Sequence, residues 1–104
     1  AEVKGKLRYA APEQVERRNV DRRADLFATG VVLCEALTGT PLFDADDMAG
    51  VVQAVLARPV APPSARRPGL PESLDGVAAR ALERTPDDRF ASAAEMAEAL
   101  ERAI

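Results

Sequence analysis

The 104-residue chain reads as a single all-α unit. It predicts one buried central helix over about residues 22–38, with three amphipathic helices, about 46–57, 72–84 and 92–103, packed around it. Three observations carry this. The stretch DRRADLFATGVVLCEALTG, residues 21–39, has apolar residues at 26, 27, 31, 32, 33, 34 and 37. That covers nearly the whole circumference of a helix, and a helix apolar all round is usually a buried one. Three later segments repeat apolar residues at the 3–4 spacing of one buried face. No segment alternates as a strand does, and there is no internal repeat.

Length and composition narrow the function. The chain is one domain at most. A chain of this size buries only roughly 60–70% of its unfolded surface, so its stability margin is thin. Its composition is 47% hydrophobic and 30% charged, with a net charge of −3 from 14 basic and 17 acidic residues. That balance gives no general attraction to nucleic acid or an anionic membrane. No run approaches the ~20 apolar residues of a membrane span. The opening AEVKGKLRY has no apolar core of the secretory type. Cys34 is the single cysteine, which excludes an internal disulfide; among valines and leucines it reads as a small buried hydrophobe. With no histidine, serine–histidine and cysteine–histidine pairs are impossible within the chain, and a zinc site is not expected. The chain does not begin with Met and reads as a segment of a longer protein.

Taken in order, residues 1–10 show no clear period and read as an extended loop. Pro12 suits the first position of a short helical turn, with Glu13 favoured near its amino end. Residues 16–23 are charged. Arg17, Arg18, Arg22 and Arg23 could form a basic patch, but Glu16 and Asp21 beside them favour a solvated connector. Asp21 or Asp25 can receive the first free amides of the central helix, and Gly39 can end it in a left-handed cap. Thr40-Pro41-Leu42-Phe43 then breaks the helix and returns two apolar side chains to the core. Asp44 or Asp46 is placed to cap the second helix, whose Met48, Val51, Val52, Val55 and Leu56 form one face. Residues 59–71 hold five of the eight prolines and read as a stiff ordered loop. A proline-rich ligand role is the weaker reading, because the stretch is short and lies between two packing helices. The third helix starts at Pro71 or Glu72 and turns Leu74, Val77, Ala78, Ala81 and Leu82 inward. Residues 85–90 form a turn. Ser92 opens the last helix, Glu95 completes a capping box, and Ala93, Met96, Ala97, Leu100 and Ile104 make its stripe.

Two charged residues sit where loops enter this core. Glu13 stands beside the proline turn, and Arg89 lies in the turn before the last helix, followed at once by Phe90. Charges in such positions survive when paired, so a Glu13–Arg89 bridge is a candidate.

Residues 5–13, GKLRYAAPE, resemble the end of a protein-kinase activation segment, with Ala11-Pro12-Glu13 as its A-P-E signature. Asp25-Leu26-Phe27-Ala28-Thr29-Gly30 is similar to the D-x-W-S-x-G motif that opens the central helix of the kinase C-lobe. Residues 31–43 resemble the rest of that helix and the turn after it. Pro63-Ser64 with residues 67–71 resembles the following loop in bacterial Ser/Thr kinases, and residues 85–90 resemble the family's arginine turn. With these motifs in register over essentially the whole length, the sequence is identified as a C-lobe segment of a bacterial, eukaryotic-like Ser/Thr protein kinase.

The resemblance implies a kinase C-lobe helical subdomain and assigns roles by residue. Glu13 and Arg89 form the buried ion pair that ties the activation segment to the helical lobe. Asp25 accepts amide hydrogen bonds from the catalytic loop; without the resemblance it is a plain N-terminal helix acid. Gly30 closes the central motif, and Val32 and Ala36 lie under the adenine-side hydrophobic column, though both otherwise read as core. Gly5, Lys6, Leu7, Arg8 and Tyr9 form the wall where substrate docks. Glu35 either faces the substrate cleft or reaches solvent at the helix edge. Two features depart from the pattern or limit it. Lys6 stands where Ser/Thr kinases usually carry Thr, and residues 1–10 contain no Ser or Thr to phosphorylate.

The implied parent transfers the γ-phosphate of ATP, with Mg2+, to protein hydroxyls. The glycine-rich loop, the β3 lysine, the catalytic aspartate and the metal-binding Asp and Asn have no counterpart here, so this segment is expected to bind no cofactor and to be inactive alone. Its expected partners are a protein substrate and the N-lobe and catalytic loop of the same chain, with no nucleic acid and no membrane contact. The expected location is cytoplasmic, in a parent that a downstream membrane helix could anchor. One flank of the central helix, near Asp25, Phe27 and Val32, is expected to be bare. The alternatives are a pseudokinase scaffold and a stand-alone helical interaction module.

Overall fold

A computed structural model describes the backbone of residues 2–104 and the side chains of residues 5–104. In chain order the elements are α1 (Glu2–Leu7), α2 (Pro12–Val15), α3 (Arg23–Thr38), α4 (Met48–Ala57), α5 (Pro63–Arg66), α6 (Ser73–Ala81), a 3-10 turn (Pro86–Asp88) and α7 (Ala93–Ala103). Among the described residues there is no strand, as the all-α reading requires.

Local chemistry sets the bounds of α3. Asp21 Oδ1 accepts the Arg23 amide at 2.9 Å, satisfying one of the free donors that open a helix. Gly39 closes it at φ 74°, its amide donating to the Glu35 carbonyl at 2.8 Å, and a left-handed residue there favours glycine. Two apolar clusters form against different faces of α3. Phe27, Val31 and Cys34 pack with Leu42, Phe43, Val51 and Val55. Leu26 packs with Val77, Ala81, Phe90 and Met96. Phe27 and Phe43 stack with ring centroids 5.9 Å apart. At Gly30 α3 and α6 approach closely: a Cβ there would stand 2.8 Å from the Ala81 Cβ. Cys34 is buried, and desolvation pushes its thiol up to about 11, as befits a small hydrophobe.

The outer elements are tied by polar side chains. Asp75 accepts both the amide and the hydroxyl of Ser64, fixing α5 to α6. Arg84 donates to the carbonyls of Ala54, Val55 and Arg58, closing the free end of α4 from across the chain. The connector before α3 is solvated and paired, with Arg18 on Glu16 and Arg23 on both Asp21 and Asp87.

The model corrects several expectations. Residues 2–7 are helical rather than extended, because Leu7 packs on the core cluster and α1 lies against α4; Ala1 lies outside the described residues. The cap of α4 is Asp47, not Asp44 or Asp46: its carboxylate accepts the Gly50 amide at 2.8 Å. Met48 therefore sits in the first turn, outside the buried face, which Val51, Ala54 and Val55 supply. The proline stretch contains a helical turn, α5, started by Pro63. The third helix ends at Ala81, although all five residues expected inside are buried. In α7 the packed stripe is Met96, Ala99, Leu100 and Ala103; Ala93 and Ala97 are exposed, and Ile104 is 83% exposed. Only the serine half of the capping box forms. Ser92 Oγ accepts the Glu95 amide at 3.1 Å, while the Glu95 carboxylate lies 2.7 Å from Arg80.

Candidate functional site

Glu13 and Arg89, 76 positions apart in sequence, meet in the buried interior. Pro12 starts α2 and turns Glu13 inward. The turn after Pro86–Asp88 turns Arg89 in from the other side. The pair is bidentate, with Nη1 to Oε2 at 2.6 Å and Nη2 to Oε1 at 2.7 Å, and its side chains are 0% and 2% exposed. Arg89 also donates to the carbonyls of Glu83 at 2.7 Å and Arg23 at 3.0 Å, and its guanidinium lies 5.1 Å from the Phe27 ring centre. Burial pushes the Glu13 carboxyl up, but the Arg89 hydrogen bonds outweigh it and hold the group below its ordinary range. Three segments, α2, the start of α3 and the turn before α7, are thus joined by one guanidinium.

The second feature is a bare stripe on α3. Asp25, Thr29, Val32 and Ala36 follow one another at helical spacing, and all are exposed, Val32 at 54%. The all-round burial inferred from the apolar count fails on this side. Phe27, expected near the bare flank, is instead wholly buried, because it points the other way into the Phe43 stack. Among the described residues no donor reaches the Asp25 carboxylate; its backbone carbonyl accepts the Thr29 hydroxyl at 2.8 Å. Asp25 lines a cavity of about 360 Å³ together with Lys6, Tyr9, Gln14 and Ala28. The A-P-E side of the chain and the acidic start of α3 therefore face one open groove.

Residues 5–9 run from the second half of α1 into the turn that follows it. Tyr9 donates its hydroxyl to Glu35 Oε1 at 2.6 Å, and Glu35 Oε2 accepts the Leu42 amide at 3.0 Å. Glu35 is half-buried at the helix edge and also brackets the turn before α2 to the turn after α3. Bonding to Glu35 raises the Tyr9 phenol above its ordinary value. Arg8 pairs with Asp44 at 2.8 Å. The partners of Glu35 and Arg8 were not foreseen; the one available signal was an acid standing alone on an apolar helix.

The sequence profile described as "Protein kinase domain" matches residues 1–101.

The chain belongs to the protein kinase family.

Its relatives place it among bacterial kinases. The kinase segment is 46% identical over 99 residues to the tyrosine-protein kinase MasK of Myxococcus xanthus, covering 95% of this chain and 15% of that protein. It is 42% identical over 100 residues to the serine/threonine-protein kinase PknH of Mycobacterium bovis, covering 96% and 17%. The kinase segment therefore spans about a sixth of the length of these relatives. The crystal structure of the Mycobacterium tuberculosis PknI kinase domain superposes at a TM-score of 0.75, with 35% identity, over 92% of this chain and 34% of that one. The kinase segment is a bacterial, eukaryotic-like Ser/Thr kinase C-lobe fragment, and its helices are those of that lobe.

Proposed function

We propose that this segment is the substrate-docking and scaffolding part of one protein kinase domain whose N-lobe and catalytic loop lie outside these residues. The parent transfers the γ-phosphate of Mg-ATP to protein hydroxyls. The segment alone neither binds ATP nor transfers phosphate, because none of its residues matches the glycine-rich loop, the β3 lysine or the catalytic and metal-binding acids that phosphoryl transfer requires. The observation that carries the reading is the groove between the A-P-E side and α3. An acid without donors, Asp25, and a half-bare valine, Val32, stand on the stripe that would receive the catalytic loop and the hydrophobic column. Gly5, Lys6, Leu7, Arg8 and Tyr9 form the docking wall, and Glu35 holds Tyr9 in it. Glu13, Arg89, Asp25, Gly30, Val32 and Ala36 are structural.

The test compares the full protein with the 104-residue segment in transfer of labelled phosphate to a generic protein acceptor. Transfer by the full protein and none by the segment is expected. Val32→Asp should leave the segment's stability within about 0.5 kcal/mol, since the side chain is half in water, yet abolish most activity of the full protein. Equal activity of the two full-length forms would remove the column role. Lys6, which lines the groove where a threonine is expected, favours a second reading in which the acceptor hydroxyl is tyrosine. Phosphoamino-acid analysis of the product decides between the two.

A further inference from the structure

Several arginines of this acidic chain meet no carboxylate among the described residues. Among the described residues Arg58, Arg66 and Arg67 donate only to neutral oxygens. Arg58 bonds the Asp44 carbonyl at 3.1 Å, Arg67 the Leu37 carbonyl at 3.0 Å, and Arg66 the Thr40 hydroxyl and the Pro41 carbonyl at 2.5 and 3.0 Å. Neighbouring acids are engaged elsewhere: the Asp44 carboxylate pairs with Arg8, that of Asp75 accepts Ser64, and that of Glu35 accepts Tyr9 and the Leu42 amide. Arg66 Nη1 is buried and has no acceptor. The Arg66 guanidinium is thus left with one donor unmatched and no carboxylate partner among the described residues, a charge that an anion would balance.

Arg58 and Arg66 flank one cavity of about 280 Å³ between the turn after α3 and the proline stretch. Its other lining residues are apolar side chains, among them Pro41, Phe43, Pro59 and Val60, and among the described residues no carboxylate lines it. The prolines fix the backbone, so the cavity is held open rather than collapsed. Two guanidiniums bind an oxyanion more tightly than surface lysines do, because they offer forked donors. The floor suits the short stem that carries the anion.

We propose that this cavity binds a phosphate monoester, taken as a phosphorylated side chain of a peptide, with Arg58 and Arg66 on the phosphoryl oxygens and the proline wall against the flanking residue. The site is remote in composition from the Asp25 groove: the two share no lining residue. Its occupancy therefore does not depend on the transfer reaction proposed above.

The experiment uses the full protein without ATP. A fluorescent phosphoserine peptide and its unphosphorylated twin are titrated by anisotropy, and inorganic phosphate serves as competitor. The phosphopeptide is expected to bind about tenfold or more tightly than its twin, the gain of a charge-assisted forked contact. Arg58→Glu should erase that preference, and Arg66→Lys, which keeps the charge but loses the fork, should reduce it. Displacement of the peptide by phosphate at concentrations near the peptide's own would assign the site to the free ion and overturn the peptide stem. Equal binding of the two peptides, or a preference that survives Arg58→Glu, would overturn the site itself. Arg58 is exposed and its side chain holds a single carbonyl, so this variant decides even where Arg66→Lys unfolds the chain.

Discussion

Breaking the Glu13–Arg89 pair from either side should destabilise the domain by unequal amounts. Removing one partner of a buried ion pair typically costs about 3–5 kcal/mol. Glu13→Ala leaves a guanidinium that still has the carbonyls of Glu83, Arg23 and Arg84 as acceptors, so the low end, about 3 kcal/mol, is expected. Arg89→Ala leaves a carboxylate at 2% exposure and also deprives those three carbonyls of their donor, so about 5 kcal/mol is expected. The double variant should resemble Arg89→Ala, with a coupling of about 3 kcal/mol rather than a sum near 8. Urea unfolding of the full kinase domain is the assay. At a slope of about 2 kcal/mol per molar, 5 kcal/mol moves the midpoint by roughly 2.5 M. Since small domains hold only roughly 5–15 kcal/mol, the larger host keeps the variants folded enough to measure. Effects additive to within about 0.5 kcal/mol would refute the argument. The same pair sets an acid limit. The Glu13 carboxyl is lowered on folding from its ordinary 4.5, so the unfolded chain binds the proton more readily. The pair's stabilisation is complete above that value and drains away as pH falls through the folded pKa, and Glu13→Gln should flatten this part of the profile.

Gly30→Ala forces a Cβ to 2.8 Å from the Ala81 Cβ, so α3 and α6 must part; a loss of about 1–3 kcal/mol in the same urea assay is expected. Cys34 should resist a charged thiol reagent at pH 8 in the native chain and react at once in denaturant, because it is 1% exposed and its thiol titrates near 11. Tyr9→Phe removes the hydrogen bond to Glu35 at a stability cost of about 1 kcal/mol, yet in the full protein it should raise KM for a protein substrate several-fold more than it lowers kcat.

Elements with strong periodicity and a side-chain punctuation mark were legible in the sequence. The span of α3, its Gly39 cap, the inward face of α6 and the Ser92 cap follow from residue type and spacing. What the sequence hid was settled by contacts at a distance. Three adjacent acids, Asp44, Asp46 and Asp47, are equally good caps in isolation, and only the fold of the turn selects Asp47. Met48 looked like core because it is apolar, but its register places it one turn too early. The α7 stripe slipped because alanines at 93, 97, 99 and 103 fit either of two faces, and packing on Val77 and Phe90 chose one. Of the site, Glu13 and Arg89 were candidates by their place where loops enter the core, were paired through the kinase resemblance, and do meet. The exposed stripe of α3 was partly legible: Val32 is bare as expected, whereas Phe27 is not. The Glu35 bracket could not be read, because its partners Tyr9 and Leu42 become neighbours only after folding.

Arg84 closes the last turn of α4 with a side chain that belongs to the far half of the chain. The amides of that turn therefore cannot fray on their own. Opening them requires the stretch after α6 to lift as well, so the two regions should share one opening free energy in hydrogen exchange despite lying some thirty positions apart. A lysine at this position, with a point charge and no fork, could not reach all three carbonyls at once, and the coupled unit would separate into two.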